Sequence, residues 1–406
     1  MIYRYGSIFE PDIIETFLEY GFSVKELTPE MSNKSFSQEE GIALVSRTLL
    51  EEPCDFVCSI NFYPFLAEVC NIMKLRYICL IVDSPVLELY STSVRHPWNR
   101  IFIFDRVLYE EIAPKNPECV FYMPLAVNVK AKQAVCGGAL DKENSGSLVK
   151  ENARFSSDVS FVGSLYTEKC PYDQFVGAPD YLQGYLNGLM ESQLQLYGAY
   201  FIEEVLTDEV VTEFKKYTKN FLTLPYSTPA LDRVVMSQYY MAAQMTAMER
   251  TRLLMALGER FPVKVYTGSD LSTLMNREMA VKEAGIKPCG RVKTQTEMPL
   301  VFSESKINLN MTAKSIRSGI PLRVWDILGC GGFCLSNYQP EIPEYFTIGD
   351  EIETYGSKEE LLEKTAYYLE HENRRKEIAQ AGLEKVKKEH TFLIRLAQMM
   401  EASFGR

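Results

Sequence analysis

Histidine is scarce in this chain of 406 residues, which holds three: His96, His371 and His390. With so few imidazoles, and with Cys54/Cys58 and Cys330/Cys334 outside the spacings that zinc requires, no dedicated metal site is expected. No Asp-x-Asp triplet occurs, so paired carboxylates that would hold a divalent cation against a diphosphate are missing. No Gly-x-x-x-x-Gly-Lys-[Ser/Thr] stretch is present, which argues against a P-loop ATPase. No Gly-x-Gly-x-x-Gly follows the first apolar run, which argues against a dehydrogenase, and no Gly-x-Ser-x-Gly elbow precedes a helix. No apolar run reaches the ~20 residues of a membrane span, and residues 1–20 lack the layout of a signal peptide. Ten cysteines are sparse at this length, and Cys58 and Cys79 sit in apolar strand patterns where a free thiol behaves as a small hydrophobe. The compartment expected is the cytoplasm. Basic residues are outnumbered, 43 Lys and Arg against 54 Asp and Glu, for a net charge of −11. That balance argues against nucleic acid and anionic membrane as partners. A basic cleft within an acidic protein is still compatible with it.

What is present is enough apolar material, 46% of residues, for two domains with cores of their own. The first 126 residues alternate strand and helix. Strands are expected at Ile2–Tyr5, Phe22–Val24, Phe56–Ile60, Arg76–Val82, Ile101–Phe104 and Cys119–Tyr122. Helices are expected over Pro11–Tyr20 and Phe65–Met73. The nearly continuous apolar run Arg76–Val82 suits a central parallel strand covered on both faces. Such alternation implies a doubly wound parallel sheet. Residues 127–157 are rich in Lys, Asn, Gly, Ser and Glu and read as a linker, giving a first domain over 1–150. Val159–Val162 opens a second domain over 151–388, with a helical insert at 171–258. Strands at Val263–Tyr266, Lys306–Asn310 and Phe333–Leu335 continue it. Helices Lys358–Leu369 and Glu372–Lys388 finish it. An amphipathic helix, Leu393–Phe404, lies in the last segment, 389–406.

Residues 304–336 carry the most chemistry. The strand Ile307–Asn310 runs into a loop with Ser315, Ser318 and Gly319, and Pro321 suits the first turn of a helix. Backbone N–H groups there, with the helix dipole, attract phosphate. Arg323 and Asp326 share one helix face. An arginine grips diphosphate oxygens, and a carboxylate accepts both hydroxyls of a ribose. Gly329, Gly331 and Gly332 end the helix and restart the sheet.

These residues resemble the signature of the GT-B glycosyltransferases, in the group-1 subset that includes spore-maturation-protein-like enzymes. The matching pattern is Ser305-Lys-Ile-x-Leu-Asn310, Arg323-x-x-Asp326-Ile-Leu-x-x-Gly331-Gly332-Phe, Tyr345-Phe346 and His390-Thr-Phe. Asn61-Phe-Tyr-Pro, Asp83-Ser-Pro, Pro97-Trp-Asn99, Phe104-Asp105-Arg106 and Met123-Pro-Leu-Ala126 resemble the domain usually fused to it in bacteria. The resemblance implies two Rossmann-like domains facing a central cleft, with the last helix crossing back to the first domain. It implies a nucleotide-diphosphate sugar as donor, UDP-linked by preference, and a hydroxyl on a protein, polysaccharide or small molecule as acceptor. In the family, the acid at the Asp326 position contacts the donor ribose and the loop before it holds the diphosphate. Many retaining relatives carry a glutamate eight residues before that acid, where this chain has Ser318, so the stereochemical course is open. A UDP-sugar epimerase of the same fold and a non-catalytic nucleotide-sugar-binding partner protein are the alternatives.

Ligands of open parallel sheets bind beyond the carboxyl ends of strands. That rule selects Gly6-Ser7, Asp83-Ser84, Gly163-Ser164, Thr267-Gly268 and the loop from Thr312 to Gly319, with Asn310 and Ile320 flanking it as further donor-binding candidates. Transfer to a hydroxyl needs stabilisation of the departing diphosphate, for which Arg323, Arg250, Arg317 and the backbone of Ser315, Ser318, Gly319 and Ile320 are candidates. It also needs a base if the anomeric carbon inverts, for which Asp83 is the first candidate and His96 the second. Arginine and helix dipole fit transfer without a metal or other cofactor.

Overall fold

The computed structural model describes residues 1–33, 36–137, 153–168, 170–271 and 285–405. The chain divides into two compact units, one formed by Met1–Asn128 with Glu389–Arg406 and the other by Val129–Lys388.

The first unit is built on a six-stranded, all-parallel sheet. Its strands are β1 (Ile2–Tyr3), β2 (Glu26–Leu27), β3 (Phe56–Ile60), β4 (Arg76–Ile81), β5 (Asn99–Ile103) and β6 (Val120–Tyr122), in the order β2-β1-β3-β4-β5-β6. The apolar runs of β3 and β4 are buried on both faces, as a doubly wound sheet demands. Cys58 and Cys79 lie buried in this interior as free thiols, and burial pushes Cys58 up to about 12. The strand expected at Phe22–Val24 forms later, at Glu26–Leu27. Gly21, at φ 93°, ends the first helix, and the Phe22 ring packs edge-on against Phe17 and Phe56 instead of joining the ladder.

The C-terminal helix Phe392–Phe404 belongs to this unit and packs on helix Glu10–Glu19, with Phe9 edge-on to Phe392 at 4.6 Å. Its entry is pinned. Val127 N–H donates to the His390 carbonyl (3.2 Å), and Arg395 donates to the Pro124 carbonyl (2.9 Å) and to His390 Nδ1 (2.6 Å). Arginine has no acceptor, so Nδ1 accepts and the His390 proton resides on Nε2.

The second unit repeats the plan. Its strands are β7 (Ser157–Val162), β8 (Val263–Tyr266), β9 (Ile286–Pro288), β10 (Ser305–Asn310), β11 (Cys334–Asn337) and β12 (Glu353–Tyr355), all parallel in the order β12-β11-β10-β7-β8-β9. Between β7 and β8 run the helices Asp180–Leu194, Ile202–Val205, Asp208–Tyr217 and Pro229–Val234. The last continues through a π-helical turn, Val235–Met241, into Ala242–Gly258. The segment expected as a linker begins with a helix, Val129–Gly137, which packs on helices Met298–Glu304 and Leu322–Gly329. The division therefore falls after Asn128 rather than near 150. Residues 138–152, where the remainder of that linker was expected, lie outside the described residues. No described helix is long and apolar enough to cross a membrane.

Helix Leu322–Gly329 ends in a Schellman motif. Gly331, at φ 73°, donates its N–H to the Leu328 carbonyl, and Gly332 donates to that of Ile327. Gly332 also lies against the next layer. A Cβ there would sit 2.6 Å from the Phe302 carbonyl oxygen and 2.7 Å from Asn308 Nδ2. Asn308 cannot move freely, because it bonds Ser160 and the Phe302 carbonyl inside the sheet. Gly332→Ala should therefore cost about 1–3 kcal/mol, seen as a lower denaturation midpoint with an unchanged slope. An unaffected midpoint would contradict this close approach.

Candidate functional site

The loop after β10 is held in place from one helix. On Ala242–Gly258, Thr246, Glu249 and Arg250 lie three and four residues apart and so share a face. Thr246 Oγ1 accepts the Lys314 N–H (2.9 Å). Glu249 Oε1 meets Lys314 Nζ at 2.7 Å. Arg250 donates through Nε to the Met311 carbonyl (3.1 Å) and through a terminal nitrogen to that of Ser164 (2.5 Å), joining the loops after β10 and β7. Lys314 and Glu249 are 8% and 4% exposed, so theirs is a buried ion pair. The ammonium also lies 4.5 Å from the Tyr197 ring. Burial lowers the pKa of Arg250, against the pull of Tyr166 and Glu249. The guanidinium proposed for the leaving group thus serves backbone carbonyls, and its effect on a ligand passes through the loops it joins.

The rest of the loop is pinned by side chains at and beyond the end of β11. Thr312 N–H donates to Asn337 Oδ1 (2.7 Å), and Gln339 donates to the Ile316 carbonyl (3.2 Å). Ser318 donates its hydroxyl to Glu341 Oε1 (2.7 Å), and the Glu341 N–H returns to the Ser318 carbonyl (3.3 Å). Glu341 is 1% exposed. Ser318 therefore anchors the loop to a buried carboxylate. Asn310 is buried too, donating to Thr312 Oγ1 and Ser336 Oγ, so it shapes the loop from beneath. Trp325 Nε1 caps the Ile320 carbonyl at 3.2 Å. Ser315, Gly319 and Ile320 are buried, and Arg317 is half-buried.

Asp326 stands on the helix that follows, with Lys132 Nζ at 3.6 Å and an Arg323 nitrogen at 3.7 Å. Both separations are ion-pair distances longer than hydrogen bonds. Lys132 is 2% exposed and rises from helix Val129–Gly137, which also sends Gln133 to the Gly329 carbonyl (2.8 Å). Arg323 lies 5.4 Å from the Phe302 ring centre; burial lowers its pKa while Asp326 opposes the shift. The sequence reading missed Lys132 because it placed this segment in a linker. The signal was there in Val129, Lys132 and Cys136, which recur at helical spacing and are all buried.

Beyond β7 and β8, Ser164 Oγ accepts the Tyr166 N–H (2.9 Å), Ser269 Oγ accepts that of Leu165 (2.7 Å), and Thr267 Oγ1 accepts that of Ser269 (3.0 Å). A Cβ at Gly163 would meet the Phe161 ring at 3.2 Å. One at Gly268 would fall 1.8 Å from Arg291 Nε, so this exposed guanidinium lies directly on the Gly268 backbone. Arg291 was not foreseen, because only the fold places it beside residue 268.

In the first unit, Asp83 is exposed beyond the carboxyl end of β4. Its Oδ2 accepts from Asn61 Nδ2 (2.7 Å) and from the Tyr5 hydroxyl (3.2 Å). Gly6 is directed differently from expectation. Its N–H and that of Tyr5 converge on the fully buried Glu10 carboxylate, at 3.2 and 3.0 Å, which stabilises the start of helix Glu10–Glu19. Ser7 Oγ accepts the Phe9 N–H (3.4 Å). His96 does not join these residues. It precedes β5 at the amino end of the sheet, opposite Asp83, with its Nε2 2.9 Å from Glu68 Oε1. Burial opposes ionisation of Glu68, but the Ser93 hydroxyl and His96 outweigh it and lower its pKa. Ligands of parallel sheets gather at the other end, the end where Asp83 lies and His96 does not.

Residues 250–401 match the family model described as glycosyl transferase-like. A comparison with curated proteins finds no match. Among solved structures, HepE of Anabaena in complex with UDP and glucose superposes with a TM-score of 0.53 at 8% identity, covering 99% of each chain. Sucrose-phosphate synthase of Thermosynechococcus elongatus gives 0.51 at 7% identity, covering 93% of this chain and 80% of that one. A glycosyltransferase of Rickettsia africae gives 0.50 at 9% identity, covering 97% and 88%. The chain has the GT-B fold of the glycosyltransferases, and its C-terminal part carries their sequence pattern.

Glu249→Ala would leave the Lys314 ammonium buried without its counter-charge. It should destabilise the protein by about 3–5 kcal/mol in denaturant unfolding, whereas Glu249→Leu with Lys314→Met should recover most of that. Equal losses in the single and double variants would contradict the ion pair's role.

Proposed function

We propose that the protein transfers a sugar from a nucleotide-diphosphate donor, a UDP-sugar, to an acceptor hydroxyl. One observation carries this reading: Asp326, flanked by Lys132 and Arg323, stands directly after a loop that three elements hold in a single conformation. The carboxylate accepts the ribose hydroxyls. The two cations attract the diphosphate, and the backbone of residues 315–320 lines its path. Arg317 is a further cation for the leaving group. Gly163, Ser164 and Thr267 border the donor at the neighbouring strand ends. Asp83, exposed beyond the carboxyl end of β4, is the candidate base for an acceptor hydroxyl if the anomeric carbon inverts. HepE, of like fold, has been solved with UDP-glucose, which supports the choice of donor.

Ligand-induced stabilisation tests the donor half. UDP at a hundred times its dissociation constant should stabilise the protein by about 2.7 kcal/mol. Asp326→Ala, which removes charge-assisted hydrogen bonds worth ~1.5–3 kcal/mol, should weaken UDP about 10- to 100-fold. An unchanged melting point with every nucleoside diphosphate would remove the donor site. UDP release from UDP-glucose that depends on an added acceptor separates transfer from epimerisation, and binding without release would indicate a non-catalytic protein.

A further inference from the structure

We infer that Cys136 and Cys330 join in a reversible disulfide when the protein meets a hydroperoxide, and that this link weakens the donor site. The thiol chemistry stands by itself, and its effect on UDP rests on the donor reading proposed above.

Both cysteines are free, buried and part of the second unit. Gln133, on helix Val129–Gly137, donates to the Gly329 carbonyl (2.8 Å), which seats that helix against the end of helix Leu322–Gly329. Cys136 lies three residues further along, on the same face. Cys330 caps the second helix, its N–H returning to the Asp326 carbonyl (3.1 Å). The two thiols meet there in a hydrogen bond, and Cys136 Sγ also reaches the Pro299 carbonyl at 3.5 Å.

The two sulfurs are not equivalent. The bond from Cys330 lowers the pKa of Cys136 against its burial, and the Ser303 hydroxyl and the Lys132 charge add to that effect. Burial and the same bond raise the pKa of Cys330. Cys136 is therefore the sulfur that ionises and attacks, while Cys330 keeps its proton. Cys334, by contrast, is pushed up by burial alone, as expected of an inert core thiol. Cys136 retains 9% of its surface exposed, an approach for an oxidant as small as peroxide.

The Cys136 thiolate attacks one peroxide oxygen, the O–O bond breaks, and the second oxygen leaves as hydroxide that takes up the thiol proton to become water. The Cys330 sulfur then attacks the Cys136 sulfenic acid. An S–S bond forms, the S–O bond breaks, and the oxygen departs with the Cys330 proton as a second water. Two thiols have lost two electrons and two protons, and a dithiol restores them by exchange. The link fastens the helix that carries Lys132 to the end of the helix that carries Asp326. A covalent bond holds the sulfurs closer than their hydrogen bond does, so Lys132, now 3.6 Å from Asp326, closes on that carboxylate. An oxygen taken by the ammonium is withdrawn from a ribose hydroxyl.

The test treats the full chain with hydrogen peroxide, alkylates the remaining thiols and reads the unreduced digest by mass. A cross-link between the peptides of Cys136 and Cys330 should appear, vanish with dithiothreitol and be absent from Cys136→Ser. In Cys330→Ser, oxidation should stop at the Cys136 sulfenic acid, trapped as its dimedone adduct. The oxidised wild type should bind UDP about tenfold more weakly than the reduced protein, whereas Cys136→Ser should bind equally before and after peroxide. Cys136→Ala replaces the serine variant if melting curves show that it fails to fold. Peroxide that modifies the half-exposed Cys54 and Cys289 but leaves Cys136 intact, or cross-links Cys136 elsewhere, overturns the inference. So does a cross-linked protein that binds UDP as before. Reduced protein that ignores UDP overturns the donor reading and the coupling with it, while the cross-link stands or falls by mass alone.

Discussion

A single helix face governs the shape of the loop after β10. Thr246, Glu249 and Arg250 bond the first residues of the loop after β10, and Arg250 ties that loop to the one after β7. The π-helical turn at Val235–Met241 precedes this face and rotates the residues beyond it relative to a regular helix, so it sets which side chains of Ala242–Gly258 meet the sheet. A buried ion pair does not stabilise a fold by itself, since desolvation offsets attraction. Its effect is to make one arrangement of Lys314 far better than any other. The same logic holds at the far end of the loop, where Ser318 and Glu341 bond each other twice. A loop so constrained presents its backbone to a ligand without ordering cost at binding.

Much of the architecture was legible in the sequence because it depends on local pattern. The uninterrupted apolar run of β4, the proline and paired glycines around helix Leu322–Gly329, and the helical insert all follow from periodicity and backbone preference. Strands β9 and β12 were not, since Ile286–Pro288 and Glu353–Tyr355 are short and carry polar or proline residues that only neighbouring strands make extended. The expected strand at Phe22–Val24 lost to an aromatic cluster in which Phe17 and Phe22 meet Phe56, a residue distant in sequence.

The site divides in the same way. Asp326 and Arg323 announce themselves by spacing on one helix. Lys132, Asn61 and Arg291 do not, because what they touch comes from other elements. The roles expected of Arg250, Asn310 and Gly6 illustrate the converse. Their residue types suit ligand contact, yet their polar groups have protein partners that no local pattern discloses. A chain with net charge −11 nevertheless sets two cations beside Asp326, and placement rather than total charge decides what such a site attracts.

The most direct measurement is a crystal structure with UDP bound. The account predicts both ribose hydroxyls within ~3.2 Å of the Asp326 carboxylate, with the diphosphate along the backbone of residues 315–320. A nucleotide seated elsewhere, with Asp326 turned from it and still flanked by Lys132 and Arg323 alone, would contradict it.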